Sequence, residues 1–95
     1  MTRVLAIDYG DVRIGLAMSD LMHIIAKPFK TIKNQHSNDI FIEIEKIIEE
    51  NNIGKIIVGL PLTLKGEYSK QTEKVLSFVD KLKIHVEIEV DTYDE

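Results

Sequence analysis

Cysteine does not occur anywhere in the 95 residues, so neither a disulfide framework nor a thiolate metal site is available. No apolar stretch approaches the roughly 20 residues needed to span a bilayer, which removes the membrane from the expected partners. Met1-Thr2-Arg3 runs straight into a short strand-like segment, not into the apolar region of a signal peptide. Repeats and low-complexity tracts are missing too. The three histidines, His23, His36 and His85, have no metal-ligand spacing and read as surface or turn residues. With these classes set aside, a reducing cytoplasm is the simplest home.

An excess of positive charge is also lacking. The net charge is −4, which by itself argues against a nucleic-acid binder. The distribution qualifies that argument. Residues 1–36 carry five positive and three negative charges, and residues 55–83 carry six and three. Acidic residues gather in 37–54 and in 84–95, the latter with five acids and no Lys or Arg. If the two basic segments share a face, a modest phosphate-attracting surface exists despite the overall sign; the plain alternative is solvated surface charge.

What is present is the composition of an ordinary globular chain, 44% hydrophobic and 29% charged. Its length suits one domain, residues 1–95, in which about 60–65% of the unfolded surface is buried. Arg3 to Tyr9 is short, apolar and β-prone, and reads as a buried strand ending near Asp8. Gly10 to Arg13 has turn chemistry, Ile14 to Ser19 reads as a second strand, and Ile24 to Lys33 as a third. Short links make the three antiparallel neighbours. Pro28 cannot donate to a ladder, so the third strand should lie at an edge or carry a bulge.

A helix over 38–51 follows from Asn38 as N-cap, with Ile40, Phe41, Ile44, Ile47 and Ile48 at helical spacing. Asn51, Asn52 and Gly54 end it. Lys55 to Leu60 is a nearly continuous apolar run, the pattern of a strand covered on both faces, and Pro61 stops it. Leu62 to Tyr68 reads as a loop turning at Gly66. A second helix over 69–81 places Val75, Phe78, Val79 and Leu82 on one stripe, and His85 to Val90 then alternates as a half-buried strand. The order is β-β-β-α-β-α-β, an α/β mixed five-stranded sheet with helices packed on it. Met18, Met22 and the isoleucine stripe read as core.

In open α/β sheets, ligands bind beyond the carboxyl ends of the parallel strands. Asp8 and Tyr9, Gly59 to Pro61, and Asp91 to Glu95 occupy those ends, so residues far apart in sequence converge by topology. Asp8 is the sharpest signal. A lone carboxylate closing an apolar strand carries a desolvation penalty that a metal ion, a cation or backbone donors must offset. The structural alternative is an aspartate that caps the following turn. Gly10 and Gly15 nearby favour a site that admits something close to the backbone.

The run Asp8-Tyr9-Gly10-Asp11-Val12-Arg13-Ile14-Gly15-Leu16-Ala17-Met18-Ser19-Asp20 closely resembles the opening motif of the YqgF/RuvX family. These are Holliday-junction-resolvase-like proteins regarded as nucleases for precursor 16S ribosomal RNA. Ile57-Val58-Gly59-Leu60-Pro61-Leu62 with Gly66 is similar to that family's second signature, and the Gln71 to Leu82 helix follows it. Val90-Asp91-Thr92-Tyr93-Asp94-Glu95 resembles the start of its third. The resemblance spans all 95 residues. It implies an RNase H-like fold and metal-dependent hydrolysis of phosphodiester bonds in precursor rRNA or branched DNA, in a monomer or weak homodimer. Asp8 and Glu95 are then the catalytic carboxylates that hold Mg²⁺ or Mn²⁺, a hard cation that takes oxygen ligands.

The resemblance favours a substrate contact from Arg13, and position beside the expected site adds Tyr9, whose ring can stack on a base, Gly10 and Lys65. Each has a plainer reading: a packed ring, a tight turn, a hairpin-surface arginine, a solvated lysine. Ser19 and Asp20 read as structural turn residues. The family pattern continues past Glu95 with an arginine, a Thr-rich turn and a last helix bearing a third acid. The chain therefore matches the front part of such a domain, and weak metal binding and poor cleavage are expected of it. Two other readings share the fold. One is a nucleotide-binding fragment of the actin, heat-shock chaperone and sugar-kinase type, which opens with a similar Asp-x-Gly turn. The other is a non-catalytic interaction module.

Overall fold

Hydrophobic period separates the elements. Residues repeating every two positions form strands, and residues repeating every three or four form helices. The computed structural model describes residues 2–19, 26–61, 65–66 and 69–94. Its strands are β1 (Arg3–Tyr9), β2 (Arg13–Ser19), β3 (Ala26–Lys33), β4 (Ile53–Leu60) and β5 (Glu89–Asp94). Its helices are α1 (Asp39–Asn51) and α2 (Lys70–His85). The strands form one sheet in the order β3-β2-β1-β4-β5, antiparallel across β3-β2-β1 and parallel across β1-β4-β5. The expected order and mixed sheet are both observed. β1, which carries Asp8, is the central strand.

One face of the sheet is apolar and holds the core. Leu5 and Ile7 of β1, Ile14 and Leu16 of β2, and Ile56, Val58 and Leu60 of β4 are all buried. From α1, Ile40, Phe41, Ile44 and Ile47 meet them, and from α2, Val75, Phe78, Val79 and Leu82. Burying each such side chain contributes about 1.5–3 kcal/mol. Rings from both helices interleave over this face, Tyr9 on Phe78 at 4.4 Å and Phe41 on Phe78 at 5.7 Å.

Pro28 behaves as its chemistry requires. β3 is an edge strand, and the register slips between Leu16 and Ala17, leaving Phe29 as the extra residue of a bulge. Asn38 occupies the N-cap position of α1, yet its side chain makes no capping bond. α1 ends on Asn52 in the left-handed region at φ 55°. α2 starts with a capping box between Ser69 and Thr72, a pairing that a Ser-x-x-Glu search overlooks. The Thr72 hydroxyl also donates to the Pro61 carbonyl, tying the start of α2 to the end of β4. Gly66 takes φ 74°, in keeping with its expected turn.

Three expectations need correction. α2 runs four residues beyond Lys81, because Leu82 extends its buried stripe and His85 stacks on Phe41 at 4.5 Å. The last strand therefore begins at Glu89, while Val86 and Ile88 pack against the core from the connecting segment. Finally, β4 is not covered on both faces. Both helices lie on the Ile56 and Val58 side, so Lys55, Ile57 and Gly59 line a less buried side. Residues 24 and 25 of the expected third strand, Met22, His23 and Asp20 lie outside the described residues. Met18 is half-buried against the core, and Ser19 accepts a hydrogen bond from the Val4 N–H at 2.9 Å.

Candidate active site on the open sheet face

The side of the sheet away from the helices is floored by small residues. Ala6, Asp8, Gly15, Ala17, Thr31, Ile57, Gly59 and Tyr93 line an open cavity of about 550 Å³ there, with Pro28 and Phe29 along one wall. The register explains its composition. Asp8 pairs with Gly15 on β2, Gly15 pairs with Thr31 on β3, and Gly59 on β4 pairs with Tyr93 on β5. Asp8 thus stands between two glycines on the central strand, with space on either side. A methyl group at Gly15 would rest at ordinary contact, 3.7 Å from the Asp8 Cβ.

Asp8 is exposed, not desolvated as the apolar strand suggested, because both helices pack on the other face of the sheet. Among the described residues its carboxylate takes no hydrogen bond and no ion pair. The turn-capping alternative is therefore not what the side chain does. Its free oxygens are the kind of donor a hard divalent cation takes, and such an ion needs only one or two carboxylates when water and phosphate supply the rest. Among the described residues, no group of three or more His, Asp or Glu side chains is placed to hold a metal ion. Of the two expected ligands, Asp8 is described and exposed. Glu95 lies outside the described residues, and β5 is described as far as Asp94, which pairs with Leu60.

The other singled-out residues divide. Tyr9 points to the helix side, stacked on Phe78 and half-buried, so its ring is on the opposite face from Asp8. Gly10 serves the hairpin: its N–H donates to the Arg13 carbonyl at 3.0 Å, and a Cβ there would stand 2.6 Å from that oxygen. Arg13 is exposed and shares the alternation of Gly15, which places it on the open face. Lys65 is exposed in the turn with Gly66. His36 is a turn residue at φ 53°, its Nε2 2.7 Å from the Asp11 carbonyl oxygen.

One residue was missed. Asn34, read as part of a polar loop, is 5% exposed and latches the β1–β2 hairpin. Its Nδ2 donates to the Gly10 carbonyl at 2.9 Å, its backbone N–H to the Val12 carbonyl at 2.8 Å, and its Oδ1 accepts from the His36 N–H. No local pattern announces this, since an Asn in a polar stretch is the commonest loop residue. On α2, Lys74 lies 3.3 Å from the Asp11 carboxylate and braces the same turn.

A central strand ending in an exposed carboxylate, within this strand order, defines an RNase H-like α/β protein. Solved structures agree. The chain superposes on Thermus thermophilus RuvC in complex with a Holliday junction substrate at a TM-score of 0.71, with 13% identity over 99% of this chain and 65% of that one. It superposes less closely, at 0.59 and 12% identity, on the Ppx/GppA phosphatase of Aquifex aeolicus, covering 99% of this chain and 36% of that one. At these identities the likeness is one of fold. Sequence carries the second step. Residues 2–95 match the model of the family described as "RuvX: Holliday junction resolvase", and the chain belongs to that family.

Curated relatives bear the name "Putative pre-16S rRNA nuclease". The one from Fusobacterium nucleatum is 44% identical over 95 residues, 96% of this chain and 68% of its own length. The one from Endomicrobium trichonymphae is 39% identical, covering all of this chain and 68% of its own. The chain thus spans about two thirds of the length of these relatives.

Proposed function

We propose that this chain belongs to a metal-dependent nuclease that hydrolyses phosphodiester bonds in precursor 16S rRNA, in the cytoplasm. One observation carries the reading: the free, exposed carboxylate of Asp8 at the centre of the open sheet face, in a chain whose relatives bear a nuclease's name. Asp8 would hold the divalent cation, Mg²⁺ or Mn²⁺, with Glu95 as a second carboxylate. Such a cation, when bound, supplies an activated water and offsets charge on the leaving oxygen. The glycines at 15 and 59 leave room for a phosphate beside Asp8. Arg13 offers that phosphate a fixed charge and Lys65 a second one, while Tyr9 remains a packing residue.

The reading is tested by cleavage of a precursor 16S rRNA fragment and, separately, of a four-way DNA junction, with Mg²⁺ or Mn²⁺. The chain, its Asp8→Asn variant and the Fusobacterium relative are compared side by side. Asp8→Asn is expected to lower cleavage by about a hundredfold or more, in proportion to the loss of a central electrostatic group. The circular dichroism spectrum should be unchanged. Cleavage that survives Asp8→Asn refutes the reading, and preference for the junction reassigns the substrate to branched DNA.

A further inference from the structure

The register sets Arg13 of β2 directly opposite Lys33 of β3. Both are exposed. Like charges facing each other across a ladder repel, where an opposite pair would stabilise the strands. Lys30 is paired with Glu43, Lys55 with Glu89 and Asp91, and Lys74 with Asp11. Arg13 and Lys33 have no ion pair among the described residues. The pair therefore adds nothing favourable to the sheet and leaves two charges free for a third party.

Its position says which. Residues 13 and 15 of β2 share a face, as do 31 and 33 of β3, and Gly15 and Thr31 line the open cavity with Asp8. The two cations thus stand on the same face as Asp8, two residues or about 7 Å further along the strands. Both lie in paired strand positions beside hydrogen-bonded turns. Arg13 closes the turn to Gly10, and Lys33 immediately precedes Asn34, two of whose hydrogen bonds latch that turn. A pair of unneutralised charges beside a free carboxylate suits an extended polyanion, one of whose phosphates meets the cations while its neighbour lies at Asp8.

We propose that Lys33 joins Arg13 in a two-cation clamp on the phosphodiester backbone of the substrate, holding it on the β2–β3 side of Asp8. The clamp rests on the nuclease reading and adds to it a contact that sets where the strand lies. Lys33 touches the substrate's phosphate and takes no part in the chemistry.

The test is the salt dependence of binding. A fluorescein-labelled RNA hairpin with a single-stranded tail is titrated by anisotropy at several NaCl concentrations in EDTA, so that cleavage does not intrude. Lys33→Ala should reduce the slope of log K against log salt by about 1, and Arg13→Ala with Lys33→Ala by about 2. At the lowest salt, loss of one contact should weaken binding by roughly threefold or more. Lys33→Arg should restore both, and Lys83→Ala, at the far end of α2, should change neither. Circular dichroism melts of every variant check the fold. A Lys33→Ala slope equal to that of the parent, or a reduction matched by Lys83→Ala, overturns the clamp. Binding too weak to detect in the parent chain overturns it as well. The nuclease reading is judged apart, by Asp8→Asn in the Mg²⁺ cleavage assay.

Discussion

Asn34 shows how a single side chain can govern a site it does not belong to. Buried at 5% exposure, it satisfies the Gly10 carbonyl and the His36 N–H at once. Asn34→Ala leaves both without their partner, at a cost of about 2 kcal/mol. In a chain of this size that corresponds to a melting temperature lower by roughly 10 °C, measured by circular dichroism. A loss under 2 °C would show that the latch is dispensable. The Asp8 side chain, in contrast, makes no hydrogen bond or ion pair among the described residues, so Asp8→Asn should leave the melt almost untouched. Asp8 was legible from sequence because a charge ending an apolar strand breaks a local pattern. Asn34 was not, because burial of a loop amide depends on which segments fold over it.

Elements contribute through their pairing. β4 and β5 join in parallel, with Lys55 opposite Glu89, and the Lys55 ammonium lies 3.0 Å from Glu89 and 3.1 Å from Asp91. Its hydrogen bonds to Glu89 and then Asp91, followed by the two negative charges, raise its pKa above the ordinary 10.5. A raised folded pKa means that the stabilisation is fully present below about pH 10.5 and is lost as pH climbs through the raised value. Lys55→Met should therefore melt below the parent at pH 8. The gap should close in alkaline buffer and shrink in high salt, as an exposed ion pair requires. A gap that holds constant from pH 8 to pH 11.5 would mean that lost packing, not charge, causes the difference. The element order was readable from the sequence, whereas the start of β5 was not. Alternation in Val86, Ile88 and Val90 competes with a helix that tertiary contacts at Leu82 and His85 prolong.

For the whole molecule, the helices shield one side of the sheet and leave the other open. Phe29 and Tyr93, on the rim of that open side, are 41% and 66% exposed. Charge repulsion is what keeps such faces apart in solution, and the net charge of −4 at pH 7 vanishes near the isoelectric point of about 5.3. Light scattering of a concentrated solution should accordingly peak near pH 5.3 and fall towards pH 7.5. A flat profile would show that the open face does not drive association. The same negative total means that any affinity for nucleic acid must come from local cations, such as the unpaired Arg13 and Lys33, and not from the field of the molecule.

Local chemistry sufficed for the element order, the edge position of Pro28 and the family, and it singled out Asp8 as a candidate, because each rests on residues adjacent in the chain or on a fixed hydrophobic period. Which face the helices would cover, that Asp8 would be exposed between Gly15 and Gly59, and that Arg13 would confront Lys33 are matters of register and layering. Those depend on contacts between segments dozens of residues apart. A one-residue slip in any strand pairing would have sent every one of these side chains to the other side of the sheet.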